Sequence, residues 1–165
     1  MSLPGRPKGE YRSAQHEGTP VSASTPAAAG PSLAALQEAL STVFAPWVHE
    51  LELSVVSAQP GEVVLELPVT PRHVHAGGVL CGQTIAAACD TAMVLAVMTK
   101  LGAFKPMTTV QLQTSFLRPV AGDSGHARVI ARVLRLGRTL VFGEIEVLDA
   151  KGALAAHATT TYALL

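Results

Sequence analysis

The chain has 165 residues with twelve basic and twelve acidic side chains, so its formal net charge at pH 7 is zero. This length suits one domain with a real hydrophobic core plus a tail. The charge balance argues against nucleic acid or a membrane surface as the main partner. Hydrophobic residues make up 48% of the chain and aromatic residues only 4%, which predicts a core of Val, Leu and Ala.

The two cysteines, Cys81 and Cys89, stand eight positions apart. This spacing matches neither a zinc motif nor a disulfide framework. Free thiols suit a reducing compartment, and the N-terminus lacks the apolar stretch of a secretory signal. We therefore expect a cytoplasmic protein.

The chain divides into an arm and a domain. Residues 1–31 are rich in Pro, Gly, Ser and Ala and have almost no large apolar residue, a composition typical of a disordered arm. The domain is expected over 32–165. It opens with Ser32 as the N-cap of a short amphipathic helix that ends at Pro46. Two strands follow, one with Leu51, Leu53 and Val55 on one face and one over 63–69.

The stretch from Gly82 to Lys100 predicts one long helix, because it is rich in Ala, Leu and Met and has no internal Gly or Pro. Its apolar residues lie on all sides, as in a buried helix. A carboxylate in the middle, Asp90, makes it a poor membrane span. Carboxylates are almost never fully buried without a partner or a purpose. Asp90 is therefore the first candidate for a functional residue.

Four further strands are predicted over 109–117, 126–136, 139–148 and 154–164. Strands that follow one another through short turns pair antiparallel, so we expect a four-stranded meander. The fold class is α+β, an antiparallel sheet that wraps around one long central helix. The helix has more apolar surface than one sheet covers, which predicts at least a dimer.

Three motifs resemble the PaaI-like branch of the hot-dog-fold acyl-CoA thioesterases. The segment HVHAGGVLCGQ at 73–83 is similar to the family motif HxNxxGxxHGG, and Asp90 stands at the spacing of the family's carboxylate. The segments FLRP at 116–119 and RLGR at 135–138 are similar to the family's FxRP and RxGR. The resemblance implies a hot-dog fold and hydrolysis of acyl-CoA without metal or cofactor. It also implies a homodimer or a dimer of such dimers.

The resemblance assigns the central chemical roles. A thioester carbonyl needs a nucleophile on one side and fixed donors at its oxygen. The N–H of Gly82, at the positive end of the helix dipole, would polarise the carbonyl. Asp90 would activate water or attack directly. Thr109, or its neighbour Thr108, would assist the water from the partner subunit.

Further candidates follow from the same motifs. His75 and Cys81 stand where the family has Asn and His, and we count both as catalytic candidates. The arginines suit the phosphates of CoA. The candidates for substrate binding are His73, Gln83, Arg118, Arg135, Gly137 and Arg138.

The residues leave alternatives open. Asp90 could be structural and bonded to a core hydroxyl, and Cys81 could be a nucleophile or a small residue that fills a narrow site. A metal site of His73, His75, Cys81 and Asp90 is disfavoured because no second ligand cluster follows. A hydratase or dehydratase using His75 with Asp90, or a non-catalytic acyl-CoA binder, are the other functions to test.

Overall fold

The computed structural model describes residues 30–165. The disordered arm predicted over 1–31 lies outside this range apart from its last two residues. The described chain forms three helices and six strands: α1 (Leu33–Thr42), α2 (Pro46–His49), β1 (Ser54–Gln59), β2 (Glu62–Pro68), α3 (Gly82–Leu101), β3 (Met107–Phe116), β4 (His126–Leu136), β5 (Leu140–Leu148) and β6 (Leu154–Leu164).

The beginning of the domain differs in part from the sequence prediction. Ser32 is the N-cap of α1, and its hydroxyl accepts a hydrogen bond of 3.2 Å from the first turn. Helix α1 ends at Thr42 and not at the predicted Pro46; Pro46 instead begins the unpredicted α2, because proline suits the first position of a helix. Strand β1 therefore begins only at Ser54. Leu51 and Leu53 are nevertheless buried in the core.

The six strands form one antiparallel sheet in the order β1-β2-β4-β5-β6-β3. Strands β4, β5 and β6 form a meander as predicted, but the predicted four-stranded meander is wrong for β3. This strand pairs with β6, and its other edge is open. The segment after β3 is attached to the hairpin before α3, because the N–H of Leu80 donates to the carbonyl of Val120 at 2.9 Å. This attachment leads the chain to the other side of the sheet, where β4 pairs with β2 and not with β3.

Helix α3 lies in the concave face of the sheet, mainly against β2, β4 and β5. All residues from Thr91 to Thr99 are buried. Length and composition would let α3 cross a membrane, but 67% of its apolar window is buried inside the protein. Gly143 on β5 permits close packing, since an added Cβ would lie 2.9 Å from the carbonyl of Arg132 and would collide with Met93. The predicted α+β fold, a sheet curled around one long helix, is confirmed.

The first half of α3 is less covered than the second. Gln83 is exposed, and Ala86, Ala87 and Asp90 are half-buried. These four residues recur at three- and four-residue steps, so they share one side of the helix. Asp90 therefore lies where the burial of the helix is incomplete.

Candidate active site

Asp90 is held by two hydroxyl groups from the sheet. The hydroxyl of Thr109 on β3 donates to Oδ1 of Asp90 at 2.9 Å. The hydroxyl of Tyr162 on β6 forms a very short hydrogen bond to the same oxygen and lies 2.9 Å from the main-chain oxygen of Asp90. Thr109 and Tyr162 are directly paired in the β3–β6 ladder, and paired residues project from the same face of a sheet. The register thus delivers both donors to one carboxylate oxygen.

The groups around Asp90 remain neutral donors at ordinary pH. Burial, followed by the charge of Asp90, raises the pKa of Tyr162 well above its usual range. The same two causes raise the pKa of the buried Cys89 thiol to about 12. Tyr162 therefore stays protonated and able to donate, and Cys89 is not a thiolate nucleophile.

The cavity beside Asp90 is lined by both apolar side chains and hydroxyl groups. It has a volume of about 250 Å³. Within the described residues no donor lies within hydrogen-bonding distance of Oδ2 of Asp90. The carboxylate thus offers one fixed oxygen and one oxygen without a protein partner. The other lining residues are Val43, Phe44, Val94, Phe104, Met107, Thr108, Thr109 and Tyr162.

Sequence reasoning missed Tyr162. The predicted four-stranded meander gave the strand over 154–164 only one neighbour, the strand over 139–148. Only the β3–β6 pairing brings Tyr162 beside Thr109 and over Asp90. A buried tyrosine opposite a candidate hydroxyl would have been the signal, had the strand order been known.

Gly82 is the first residue of α3 and follows the N-cap Cys81. A helix offers no internal acceptor to its first N–H groups, and the helix dipole makes this end positive. Gly82 borders a second cavity of about 260 Å³ with Phe116 and Arg118. The ring of Phe116 would lie 3.3 Å from a Cβ added at Gly82. The N–H of Gly82 is therefore a well-placed donor for a carbonyl oxygen in this cavity.

Gly82 and Asp90 of one chain cannot act on the same carbonyl group. They are eight residues apart on α3, which corresponds to about 12 Å along the axis. A nucleophile and an oxyanion donor that serve one carbonyl both lie within ~3.5 Å of the reacting group. The expectation that one subunit supplies Gly82 and Asp90 and the partner supplies Thr109 is therefore wrong. The β3–β6 pairing puts Thr109 on Asp90 within a single chain.

His73 has a structural place. Its side chain is buried, with Nδ1 2.7 Å from the carbonyl of Pro68 and Nε2 2.9 Å from the carbonyl of Glu50. Its own carbonyl accepts the N–H of Cys81 at 2.8 Å. His73 therefore ties the end of α2 and the end of β2 to the start of α3. His73 also borders a cavity of about 210 Å³ that Gln83 lines, and the binding role expected for it stays a prediction.

His75, Cys81 and Gln83 lie close together in the chain but do not form a ligand cluster. His75 is exposed in the hairpin before α3, and its Nδ1 accepts the N–H of Gly77 at 2.9 Å. The Cys81 thiol is half-buried and contacts the side-chain oxygen of the exposed Gln83. Within residues 30–165 no three His, Cys, Asp or Glu side chains are placed to hold a metal ion.

The three candidate arginines are exposed but lie at two ends of the sheet. Arg118 follows β3, and its N–H donates to the carbonyl of Ala155 at the start of β6. Arg135 and Arg138 lie at the β4–β5 hairpin, which Gly137 closes through a 2.8 Å hydrogen bond. The length of β6 separates these two ends by about 30 Å. Within one chain the three arginines therefore cannot bind one phosphate group together.

Comparison with known proteins agrees with this architecture. The thioesterase superfamily profile matches residues 77–156, a range that contains Gly82, Asp90 and Thr109 but ends before Tyr162. The chain is 33% identical to human acyl-coenzyme A thioesterase 13 over 113 residues, which are 67% of this chain and 78% of that protein.

Solved structures show the same fold. The chain is similar to zebra fish thioesterase superfamily member 2, with a TM-score of 0.73, 27% identity, and coverage of 82% of this chain and 100% of that chain. It also shares the fold of a hypothetical thioesterase from Streptococcus pneumoniae crystallised with coenzyme A. There the TM-score is 0.64 at 18% identity, with coverage of 68% and 85%.

The role of Cys81 can be tested through stability. Cys81 occupies the N-cap of α3 without a side-chain capping bond. Ser is a preferred N-cap residue because its hydroxyl accepts an N–H of the first turn. We expect Cys81→Ser to raise the free energy of unfolding by about 0.5–1 kcal/mol, measured by urea denaturation. Cys81→Ala is the control and should give no gain. A loss of stability in the Ser variant would contradict the N-cap assignment.

Proposed function

We propose, from the premise that this chain belongs to the thioesterase superfamily, that it is an acyl-CoA thioesterase. It hydrolyses an acyl-CoA to the acid and CoA. The observation that carries this proposal is Asp90, a half-buried carboxylate at a cavity, with Oδ1 fixed by two hydroxyls and Oδ2 without a protein partner among the described residues. The likeness to a protein named acyl-coenzyme A thioesterase 13 supports CoA as the thiol.

The proposed reaction uses Asp90 as a general base. Oδ2 takes a proton from water while the water oxygen attacks the thioester carbon. The carbonyl oxygen becomes an oxyanion that accepts the N–H of Gly82. The C–S bond then breaks, the acid is released, and the CoA thiolate takes the proton from Asp90, which restores the carboxylate. Direct attack by Oδ2 would form an anhydride that water must open, and the same residues could serve that route.

A composite site requires a second copy of the chain, because Gly82 and Asp90 of one chain are too far apart. Strand β3 indicates how the copies meet. Near its start Thr109 contacts Asp90, and at its end Phe116 lies beside Gly82. Its outer edge has no partner strand in the described chain. An unpaired edge is a template for pairing with another strand.

Antiparallel pairing of two β3 edges about a two-fold axis would solve the distance problem. The start of one β3 would then lie beside the end of the other. Asp90 and Thr109 of one subunit would approach Gly82 of the other, and the two-fold would generate two such sites. The same contact would cover the half-buried side of α3 around Asp90. We therefore propose a homodimer with active sites at the interface.

The two cavities suggest how the substrate is divided. Arg118 borders the cavity of Gly82, and a guanidinium suits the phosphates of CoA. The cavity of Asp90 is lined by Phe44, Val94 and Phe104 and suits an uncharged acyl group. We propose that the CoA arm follows the Arg118 side and that the acyl group enters the Asp90 cavity of the partner subunit.

Two alternatives are tested against this proposal. A hydratase would need His75 beside Asp90, and since His75 does not line the Asp90 cavity of its own chain, that histidine would have to come from the partner subunit together with Gly82. A binder without catalysis would not need a carboxylate that two hydroxyls orient. Incubation with a panel of acyl-CoAs and a thiol-detecting dye separates the three. Hydrolysis releases a thiol, hydration of an enoyl-CoA releases none, and a binder shows only ligand-induced stabilisation.

Asp90→Asn is expected to reduce kcat by at least ~10²-fold, because an amide cannot accept the proton of water. The amide oxygen can still accept the hydroxyls of Thr109 and Tyr162, so the melting temperature should stay the same or rise. Acyl-CoA binding should persist. Asp123→Asn, which changes an exposed carboxylate, is the control and should leave turnover unchanged. An Asp90→Asn variant that hydrolyses normally would remove Asp90 from the mechanism.

Gly82→Pro tests the oxyanion donor, because it deletes the N–H at the first helical position, where proline is tolerated. Cys81 already has φ −66° and ψ 136°, a conformation that suits a residue before proline. We expect kcat to fall about 10²–10³-fold. Gly82→Ala is the control. It keeps the N–H and adds the same contact with Phe116, so we expect a smaller fall in kcat.

Mixing Gly82→Pro with Asp90→Asn tests the shared site. A mixed dimer has one site with both changes and one site with neither. After subunit exchange about half of the dimers are mixed, so about a quarter of wild-type activity should return. Mixed dimers, demonstrated by mass spectrometry, that stay as inactive as the parents would contradict a site shared between subunits.

A further inference from the structure

We infer that Tyr162 is a positioning residue for the catalytic carboxylate: its hydroxyl, together with that of Thr109, fixes Oδ1 of Asp90 and leaves Oδ2 as the reacting oxygen. This inference rests on the proposed function, since it assigns a part in the same reaction. Neither the motifs of the sequence nor the matched range 77–156 includes Tyr162.

The contact geometry is specific to the tyrosine hydroxyl. The ring of Tyr162 is only 2% exposed, packed in the core under the sheet. Its oxygen approaches both Oδ1 and the main-chain oxygen of Asp90. The single O–H donates to Oδ1, its nearer acceptor, and the main-chain oxygen of the same residue lies 2.9 Å from the phenol oxygen. This restricts rotation of the carboxylate, which Thr109 alone, on one side, would not do.

Few other groups compete for Asp90. Among the residues that line its cavity, α1 and the loop after it supply Val43 and Phe44, which are apolar. From α3 the neighbouring titratable group is Cys89, which is buried and stays a neutral thiol. From the sheet, Thr109 and Tyr162 are the donors to the carboxylate. Tyr162 retains its proton, because burial and the nearby carboxylate both oppose ionisation.

The two hydroxyls affect the reaction through Oδ2, the oxygen of Asp90 that has no protein partner in the described chain. A hydroxyl that donates to Oδ1 occupies that oxygen and limits rotation of the carboxyl group. The fixed orientation keeps Oδ2 directed at one position for the water. Loss of the tyrosine hydroxyl should therefore reduce the catalytic step and leave substrate binding intact.

Tyr162→Phe is the variant that tests this, because it removes only the hydroxyl. We expect kcat to fall about 10-fold, with KM nearly unchanged. Thr160→Val is the matched control. Thr160 is also buried on β6, but its hydroxyl donates to the main-chain oxygen of Gln111 at 2.8 Å and does not contact Asp90. It should lose stability without a fall in kcat per folded molecule.

An NMR experiment tests the same inference without measuring turnover. The carboxyl carbon of Asp90, labelled with ¹³C and assigned by its absence in Asp90→Asn, is observed by NMR at pH 7 in the wild type and in both variants. We expect Tyr162→Phe to change its chemical shift, because the hydroxyl that contacts Oδ1 is lost, and Thr160→Val to leave it unchanged. Identical chemical shifts in all three proteins would overturn the inference. A wild type that hydrolyses no acyl-CoA would instead contradict the proposed function, even where the chemical shift changes as expected.

Discussion

The structure depends on the burial of α3, a helix that is apolar on nearly all sides. A six-stranded sheet covers the stretch from Thr91 to Thr99 completely, but it leaves one side of the first half accessible. Asp90 stands at this boundary. A carboxylate deeper in the helix would need a partner to offset desolvation, and one nearer the N-terminus would be solvated. The length of α3 that the sheet covers therefore determines where along the helix a reactive carboxylate can lie.

Strand β3 connects this packing with the chemistry. It lies at the edge of the sheet, where it pairs with β6 on one side only. Its start contacts Asp90 through Thr109, and its end contacts Gly82 through Phe116. The two halves of a thioester site are thereby attached to one rigid element, and their separation is fixed by the length of that element. The proposed dimer follows from this fixed separation.

Much of the fold was predictable from local patterns. Alternation gave most of β2 and of the last three strands, and the composition of 82–100 gave α3. The position of β3 was not predictable in this way, because the choice between β4 and β6 as its neighbour depends on long-range contacts such as that of Leu80 with Val120. The candidate site was predictable to the same extent. Motif spacing predicted Asp90 and Thr109, whereas the role of Tyr162 and the contact of Thr109 with Asp90 of its own chain depend on the strand order.

The choice of hydroxyl partners for Asp90 has a chemical reason. An arginine or lysine beside the carboxylate would also offset the cost of its burial, but an ion pair would strongly reduce its ability to accept a proton. The lining residues of its cavity include no Lys, Arg or His. Neutral hydroxyls orient one oxygen and stabilise the charge less than a cation would, and they leave the second oxygen without a protein partner in the described chain. An active site that must both orient a half-buried carboxylate and use it as a base is therefore best served by Thr109 and Tyr162.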